Sequence, residues 1–166
     1  QWQPSDARWS SANPLPGPNG ATGRGKGLAL VIKATITPST SAAAIKLNED
    51  GSLNVLISSV ECGQGAKTVL AQIAADAMQV PVERVAVSNP DTDLTPYDQQ
   101  TSSSRTTFSM GGAVAKAATD LKQQLLDHAA VLLEASGQDL ILENGRISVR
   151  GTPHRYLPYG AVAMRS

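Results

Sequence analysis

Two short stretches carry the residue types that chemistry needs. In the first, VECGQGAKTVLAQIAADAM (60–78), Gln64 stands between Gly63 and Gly65. Glycines let a ligand come close to the main chain, and a glutamine amide offers both donors and an acceptor, so the trio could read a heterocycle edge or bond an oxo group. Taken alone, a helix-entry turn with Gln64 in solvent is the commoner meaning of so short a glycine motif. The second stretch is DTDLTPYD (91–98) followed by QQTSSSRTT (99–107). Its aspartates suggest a calcium loop, but the glycine at the sixth loop position and the glutamate at the twelfth are missing, which excludes an EF-hand. What remains is a hydroxyl run, Thr101, Ser102, Ser103 and Ser104, with Arg105 and Thr106 behind it, a donor set that suits an anionic group. The dull alternative is a solvated loop with a turn fixed by Pro96, yet 17 residues without regular structure is long for a compact domain unless the loop has work to do.

Other reactive side chains assemble into nothing. Cys62 adjoins the glycines, but His128 lies within a helical pattern and His154 in the tail, so a Cys/His dyad has no support from spacing and Cys62 reads as a small residue whose backbone lines the site. No His, Cys and carboxylate cluster has metal-ligand spacing, so no metal ligand and no catalytic residue is assigned. Lys67 and Arg105 could meet phosphate, although solvation is the usual fate of such side chains.

The elements that must position these loops follow from periodicity. LALVIKATI (28–36) and NVLISSV (54–60) are apolar and branched, and the turn signal Glu49-Asp50-Gly51-Ser52 makes 45–58 a hairpin. Val69, Leu70, Ile73, Ala74, Ala77 and Met78 form one helical face over 66–79, stopped by Pro81. A strand follows within 82–90. A second helical stripe, Val114, Ala118, Leu121, Leu125, Ala129 and Leu132, ends by Gly137, and Asn144-Gly145 joins two last strands in a hairpin. Strand, helix and strand over 54–89 make a β-α-β unit, whose strands are expected to be parallel. The loops at 61–65 and 91–107 then open on the same sheet edge, where ligands of such sheets bind, and the helix N-termini behind them offer N–H groups to an anion. The fold expected is α+β, two layers, with helices packed on a mixed β-sheet containing the β-α-β unit.

Bulk composition narrows the classes. Fourteen Lys and Arg balance fourteen Asp and Glu, so the positive field of a nucleic-acid binder is missing. No apolar stretch approaches the roughly 20 residues of a membrane span. One cysteine forms no internal disulfide, which points to the cytoplasm. Residues 1–26, with prolines 4, 14, 16 and 18 and almost no aliphatic side chains, are expected to be a linker or strap, and 27–166 the folded domain. The start at Gln1 and an apolar run beginning at Tyr159 suggest a piece of a longer polypeptide.

Taken together, ECGQG (61–65), TVLAQIAADAMQVPVERV (68–85), DTDLTPYDQQTSSSRTT (91–107) and GGAVAKAA (111–118) resemble the molybdenum-binding subunit of the molybdenum hydroxylase, or xanthine oxidase and aldehyde oxidase, family. The likeness runs from about Gly23 to Val149, in order, and 91–105 is closest to bacterial members. It implies that 27–166 is a molybdenum-cofactor-binding domain of an oxidoreductase acting on a small-molecule substrate. The cofactor implied is molybdenum held by the dithiolene of molybdopterin, in bacteria commonly the cytosine dinucleotide form. Iron–sulfur and FAD partners, in other subunits or domains, carry electrons away. By this resemblance Gln64 takes the place of a pterin-contacting glutamine, with Cys62, Gly63 and Gly65 beside it. Thr101, Ser102, Ser103, Ser104, Arg105 and Thr106 take the place of the loop near the metal's ligands. The family's catalytic glutamate motif has no counterpart in these 166 residues, so the piece alone is expected to be inactive. Two other readings compete: a non-catalytic small-ligand or nucleotide-binding module, and an interaction domain whose polar loops face a protein partner.

Overall fold

A computed structural model describes residues 28–32 and 39–165. The chain divides into two units, Gln1–Lys33 and Ala34–Ser166. In the first, residues 28–32 form no regular element, so a strand over 28–36 does not extend through its first half. The rest of that segment up to residue 38, and the proposed linker 1–26, lie outside the described residues.

The second unit opens with the expected hairpin. β1 (Ala44–Leu47) and β2 (Leu53–Leu56) are antiparallel, with Leu47 opposite Leu53. Asp50 carboxylate accepts from the Ser52 N–H at 2.8 Å, and Gly51 sits at φ 82, a left-handed value that glycine adopts without strain. α1 (Ala66–Met78) crosses over to β3 (Val85–Val87), which runs parallel to β2 with Val55 opposite Val87. The ladders are shorter than the apolar runs that announce them, 53–56 rather than 54–60 and 85–87 rather than 82–90. Residues after each strand instead turn their backbone groups toward side chains, as with Ile57 N–H donating to Ser88 Oγ at 3.2 Å.

α1 buries Leu70, Ala71, Ala74, Ala75 and Met78. It ends at Gln79, φ 53, where Val80 N–H reaches Ala75 O at 3.0 Å and Gln79 N–H reaches Asp76 O at 3.2 Å, the paired bonds of a Schellman cap. α2 (Gly111–Leu132) buries Val114, Ala118, Leu125 and Ala129. It stops well short of Gly137. Glu134, φ 47, takes the left-handed position that glycine usually fills, and Ala135 N–H closes on Ala130 O at 3.0 Å. A non-glycine residue in that role leaves no mark in a sequence, which is why the end was misplaced.

The mixed sheet with its β-α-β unit is present as expected, and a second sheet stands with it. The order β1-β2-β3 forms one; β4 (Leu140–Glu143), β5 (Arg146–Val149) and β6 (Thr152–Pro158) form a second, wholly antiparallel. α3 (Tyr159–Ala163) follows β6. The architecture is α+β, with helices against a mixed and an antiparallel sheet. One apolar cluster, Val55, Ile57, Leu70, Ala74, Met110 and Val114, joins β2, α1 and the head of α2. A larger one reaches from Leu53 and Met78 through Ala118, Leu125 and Ala129 to Ile147, Tyr159 and Val162, tying the second sheet to the helices.

Candidate functional site

Parallel β2 and β3 send their C-terminal ends to one edge, and the segments leaving them are sewn together residue by residue. Ser58 Oγ lies 2.7 Å from Thr95 Oγ1 and donates to Pro96 O at 2.6 Å. Ser59 Oγ donates to Asp98 Oδ2 at 2.8 Å, and Val60 N–H to Thr101 Oγ1 at 2.8 Å. The Val60 carbonyl accepts from Gln64 Nε2 at 2.8 Å. Val60 therefore bridges the two loops, with Gln64 on one side and Thr101 on the other.

In the first loop the side chain of Gln64 folds back on its own turn. Its Oε1 accepts from Cys62 N–H at 2.7 Å and from Cys62 Sγ at 3.1 Å. Both lone pairs of the amide oxygen are thus engaged, and one N–H remains for a ligand. Gly63 and Gly65 lie at φ 98 and φ 80, and a methyl group built on either would meet nothing within 4 Å, so the outer face of the loop is open. Cys62, whose type suggests a small packed residue, is exposed, as are Gly63 and Gln64.

The N-terminus of α1 is not free for an anion, contrary to expectation. Glu61 has swung its carboxylate under it: Oε1 accepts from Gly63 N–H at 2.8 Å and Gly65 N–H at 3.1 Å, Oε2 from Lys67 N–H at 3.1 Å. The N–H groups of Lys67 and Gly65, before the others, hold the Glu61 carboxyl below the ordinary range. Glu61 precedes the helix by more than the usual capping spacing, so sequence gave no warning.

The second loop is closed by a buried ion pair. Arg105, 1% exposed, is the largest fully buried side chain among the described residues. Its Nε donates to Ser39 Oγ at 3.1 Å, Nη1 to Asp98 Oδ1 at 2.6 Å and to Gln100 O at 2.7 Å, Nη2 to Thr40 O at 3.0 Å and to Ser41 Oγ at 2.7 Å. Each of the guanidinium's five donors is thereby used within the protein. Arg105 has none left for a phosphate or a pterin, and its expected place among the ligand contacts is corrected to an internal one. Burial opposes ionisation of Asp98, but hydrogen bonds from Arg105, Ser41 and Ser59 outweigh it and hold its carboxyl below the ordinary range. Thr106 is also buried, where it begins a one-turn π segment, Thr106–Met110, at the head of α2.

Thr101, Ser102, Ser103 and Ser104 form the turn between the two partners. Ser102 and Ser104 are exposed, Thr101 and Ser103 half-buried. Ser103 and Ser104 have φ 53 and φ 56, consecutive left-handed positions without a glycine, each costing on the order of 1–2 kcal/mol. Such strain persists where the surroundings enforce it. Sequence missed the partners that enforce it: Asp98 counted only among the aspartates of 91–98, Ser58 and Ser59 lie inside the run 54–60, and Ser41 carried no signal of its own.

The arrangement fits an anionic, heteroatom-rich group. Glu61 and Asp98, the carboxylates nearest Gln64 and the 101–104 turn, are already engaged, and those two stretches present uncharged groups, the Cys62 thiol, the Gln64 amide, the glycine backbone and the serine hydroxyls, while Asp91 and Asp93 lie exposed earlier in the second loop. Among the described residues no group of three His, Cys, Asp or Glu stands ready for a metal ion, so a metal here must bring ligands of its own. His128 and His154 lie exposed on α2 and β6, away from this edge.

An α+β domain that sets two donor-rich loops side by side at the C-terminal edge of parallel strands is, by class, built like the large subunits of molybdenum hydroxylases. The chain belongs to the molybdopterin cofactor-binding domain family, whose sequence profile matches residues 2–166. It is 39% identical over 118 residues to the xanthine dehydrogenase molybdenum-binding subunit of Escherichia coli O157:H7, an alignment covering 70% of this chain and 16% of that protein. It is 35% identical over 122 residues to the nicotine 6-hydroxylase large subunit of Paenarthrobacter nicotinovorans, covering 74% and 15%. Its fold superposes on quinoline 2-oxidoreductase of Pseudomonas putida 86 with a TM-score of 0.67 and 32% identity, over 76% of this chain and 16% of that one. The chain thus spans about a sixth of the length of the relatives it matches.

Proposed function

We propose that this domain, 27–166, holds one side of a molybdenum–pterin cofactor in the molybdopterin-binding subunit of an oxidoreductase of the xanthine dehydrogenase and carbon monoxide dehydrogenase kind. The observation that carries this reading is the bridge at Val60, whose N–H binds Thr101 and whose carbonyl binds Gln64, so that both loops present donors to one guest. Bound there, the cofactor supplies two-electron redox chemistry; the chain supplies orientation and charge complementarity. Gln64 offers its remaining amide N–H, the glycine loop its open backbone face, and Thr101, Ser102, Ser103 and Ser104 their hydroxyls. Neither loop is assigned a general base: Glu61 is committed to the head of α1 and Asp98 to Arg105, and a proton acceptor for the reaction is assigned to the rest of the subunit.

The finer assignments form part of the same proposal. The pterin is taken as the cytosine dinucleotide form, the electron partners as iron–sulfur and flavin units, the substrate as a small molecule and the compartment as cytoplasm; no described helix is long and apolar enough to cross a membrane. A nucleotide-binding module is disfavoured, because the helix N-terminus it would use is filled by Glu61. The test is Gln64→Ala in the full-length protein, with molybdenum measured by mass spectrometry and pterin by fluorescence after oxidation. Metal content is expected to fall several-fold with the fold intact by circular dichroism. Unchanged metal and pterin would sink the reading.

A further inference from the structure

Arg105 is too fully used to be a ligand contact, and too costly to bury without a purpose. Its guanidinium, with Asp98, ties three segments that are distant in sequence: 39–41, the exit of β2 at Ser59, and the ends of the loop 98–105. Ser41 and Asp98 add an isolated antiparallel bridge, and Ala42 N–H donates to Tyr97 O at 3.2 Å. Between the clamped ends lies the turn with two consecutive left-handed serines, closed locally only by Arg105 N–H to Ser102 O at 3.1 Å. One local bond does not fix such a backbone. The restraint comes from the ion pair at its base.

We infer that Asp98 and Arg105 are positioning residues, a clamp that holds 101–104 in its strained turn beside Gly63-Gln64-Gly65 whether or not a ligand is bound. What the turn is held ready for rests on the cofactor reading above; the clamp itself does not. A guanidinium suits the task better than an apolar side chain, because it also donates to the Thr40 and Gln100 carbonyls, bonds that an apolar replacement would lose. Preorganisation of this kind removes the ordering cost from the binding step.

The experiment compares full-length wild type, Arg105→Lys, and Arg105→Lys combined with Ser103→Gly and Ser104→Gly. Two readouts are taken: amide hydrogen exchange at 101–104, and molybdenum content. Lysine keeps the charge but cannot span five acceptors. Arg105→Lys is expected to exchange about tenfold faster at 101–104 and to lose most of its metal, with far-ultraviolet circular dichroism unchanged. The added glycines, at ease at positive φ, restore no hydrogen bond yet are expected to recover a substantial part of the metal. Unchanged exchange in Arg105→Lys overturns the clamp, as does a triple variant no better loaded than the single one. If Arg105→Lys does not fold, Asp98→Asn, which keeps an acceptor oxygen, is read for exchange at 101–104 with the same two outcomes. A wild type without molybdenum would instead sink the cofactor reading, and the exchange comparison would still decide the clamp.

Discussion

The two ends of the parallel pair are restrained by different physics. At the C-terminal end the loops are tied by hydrogen bonds, Ser58 to Pro96, Ser59 to Asp98 and Val60 to Thr101, with Arg105 bonded to five acceptors at the base of the second. At the N-terminal end close backbone packing joins the hydrogen bonds. α3 comes so near the β1–β2 turn that a methyl group on Gly160 would sit 2.0 Å from Glu49 O, and buried Tyr159 reaches Met78 O at 2.8 Å. Arg84 Nη1 adds a bond to Asp50 O at 2.8 Å, beside a cavity of about 530 Å³ lined by Arg84, Arg146, Tyr156 and Tyr159. Close packing tolerates no insertion, whereas a polar network fixes a loop while leaving its outer groups open to a guest. The end proposed to hold the cofactor is the one tied by hydrogen bonds and an ion pair.

If that contrast is right, the ends break differently. Gly160→Ala should have the larger effect, on stability alone: no rotamer relieves a backbone clash, and overpacking at its upper range costs about 3 kcal/mol. A fall in the urea midpoint with unchanged molybdenum per folded protein checks this; a variant as stable as wild type would show that α3 can move. Asp98→Asn should cost less, about 2 kcal/mol for charge-assisted hydrogen bonds weakened but not emptied. It should also flatten the acid limb of the stability curve. A carboxyl that titrates lower in the folded state stabilises fully above about pH 4, and that contribution drains away as pH falls through the folded value, so wild type should lose more than the variant in acid. Parallel acid limbs would remove Asp98 from the account. Glu61→Gln should change least: faster amide exchange at 63–67, with the global midpoint almost unmoved. Exchange unchanged there would mean that the carboxylate does not hold the loop.

Much of the frame could be read in advance because it is local. Glu49-Asp50-Gly51-Ser52 turns a hairpin and Asn144-Gly145 another, the latter at φ 51 and φ 72; the apolar period of 66–78 makes a helix, and a crossover of that length makes parallel strands. The adjacency of the two loops followed from that topology alone. What escaped was long-range or unusual chemistry. β6 was missed because Pro153, His154 and Arg155 break the apolar alternation, although proline is tolerated on an edge strand such as this one. Arg105 looked like a ligand residue because its type and loop position say nothing about burial, and its partners include Ser39 and Thr40, more than sixty residues earlier. Glu61 looked idle because a carboxylate that reaches forward over a glycine turn has no fixed spacing from the helix it caps.

The wide turn at Thr106–Met110 has a further consequence. A π turn holds one residue more than an α turn in about the same revolution, so it takes up an extra residue at the head of the long helix without rotating what lies on either side. The chain thereby gains a residue between the hydroxyl loop and α2 while both keep their facing. The head of the helix absorbs a change of length that would otherwise have to be met by turning the guanidinium away from its acceptors.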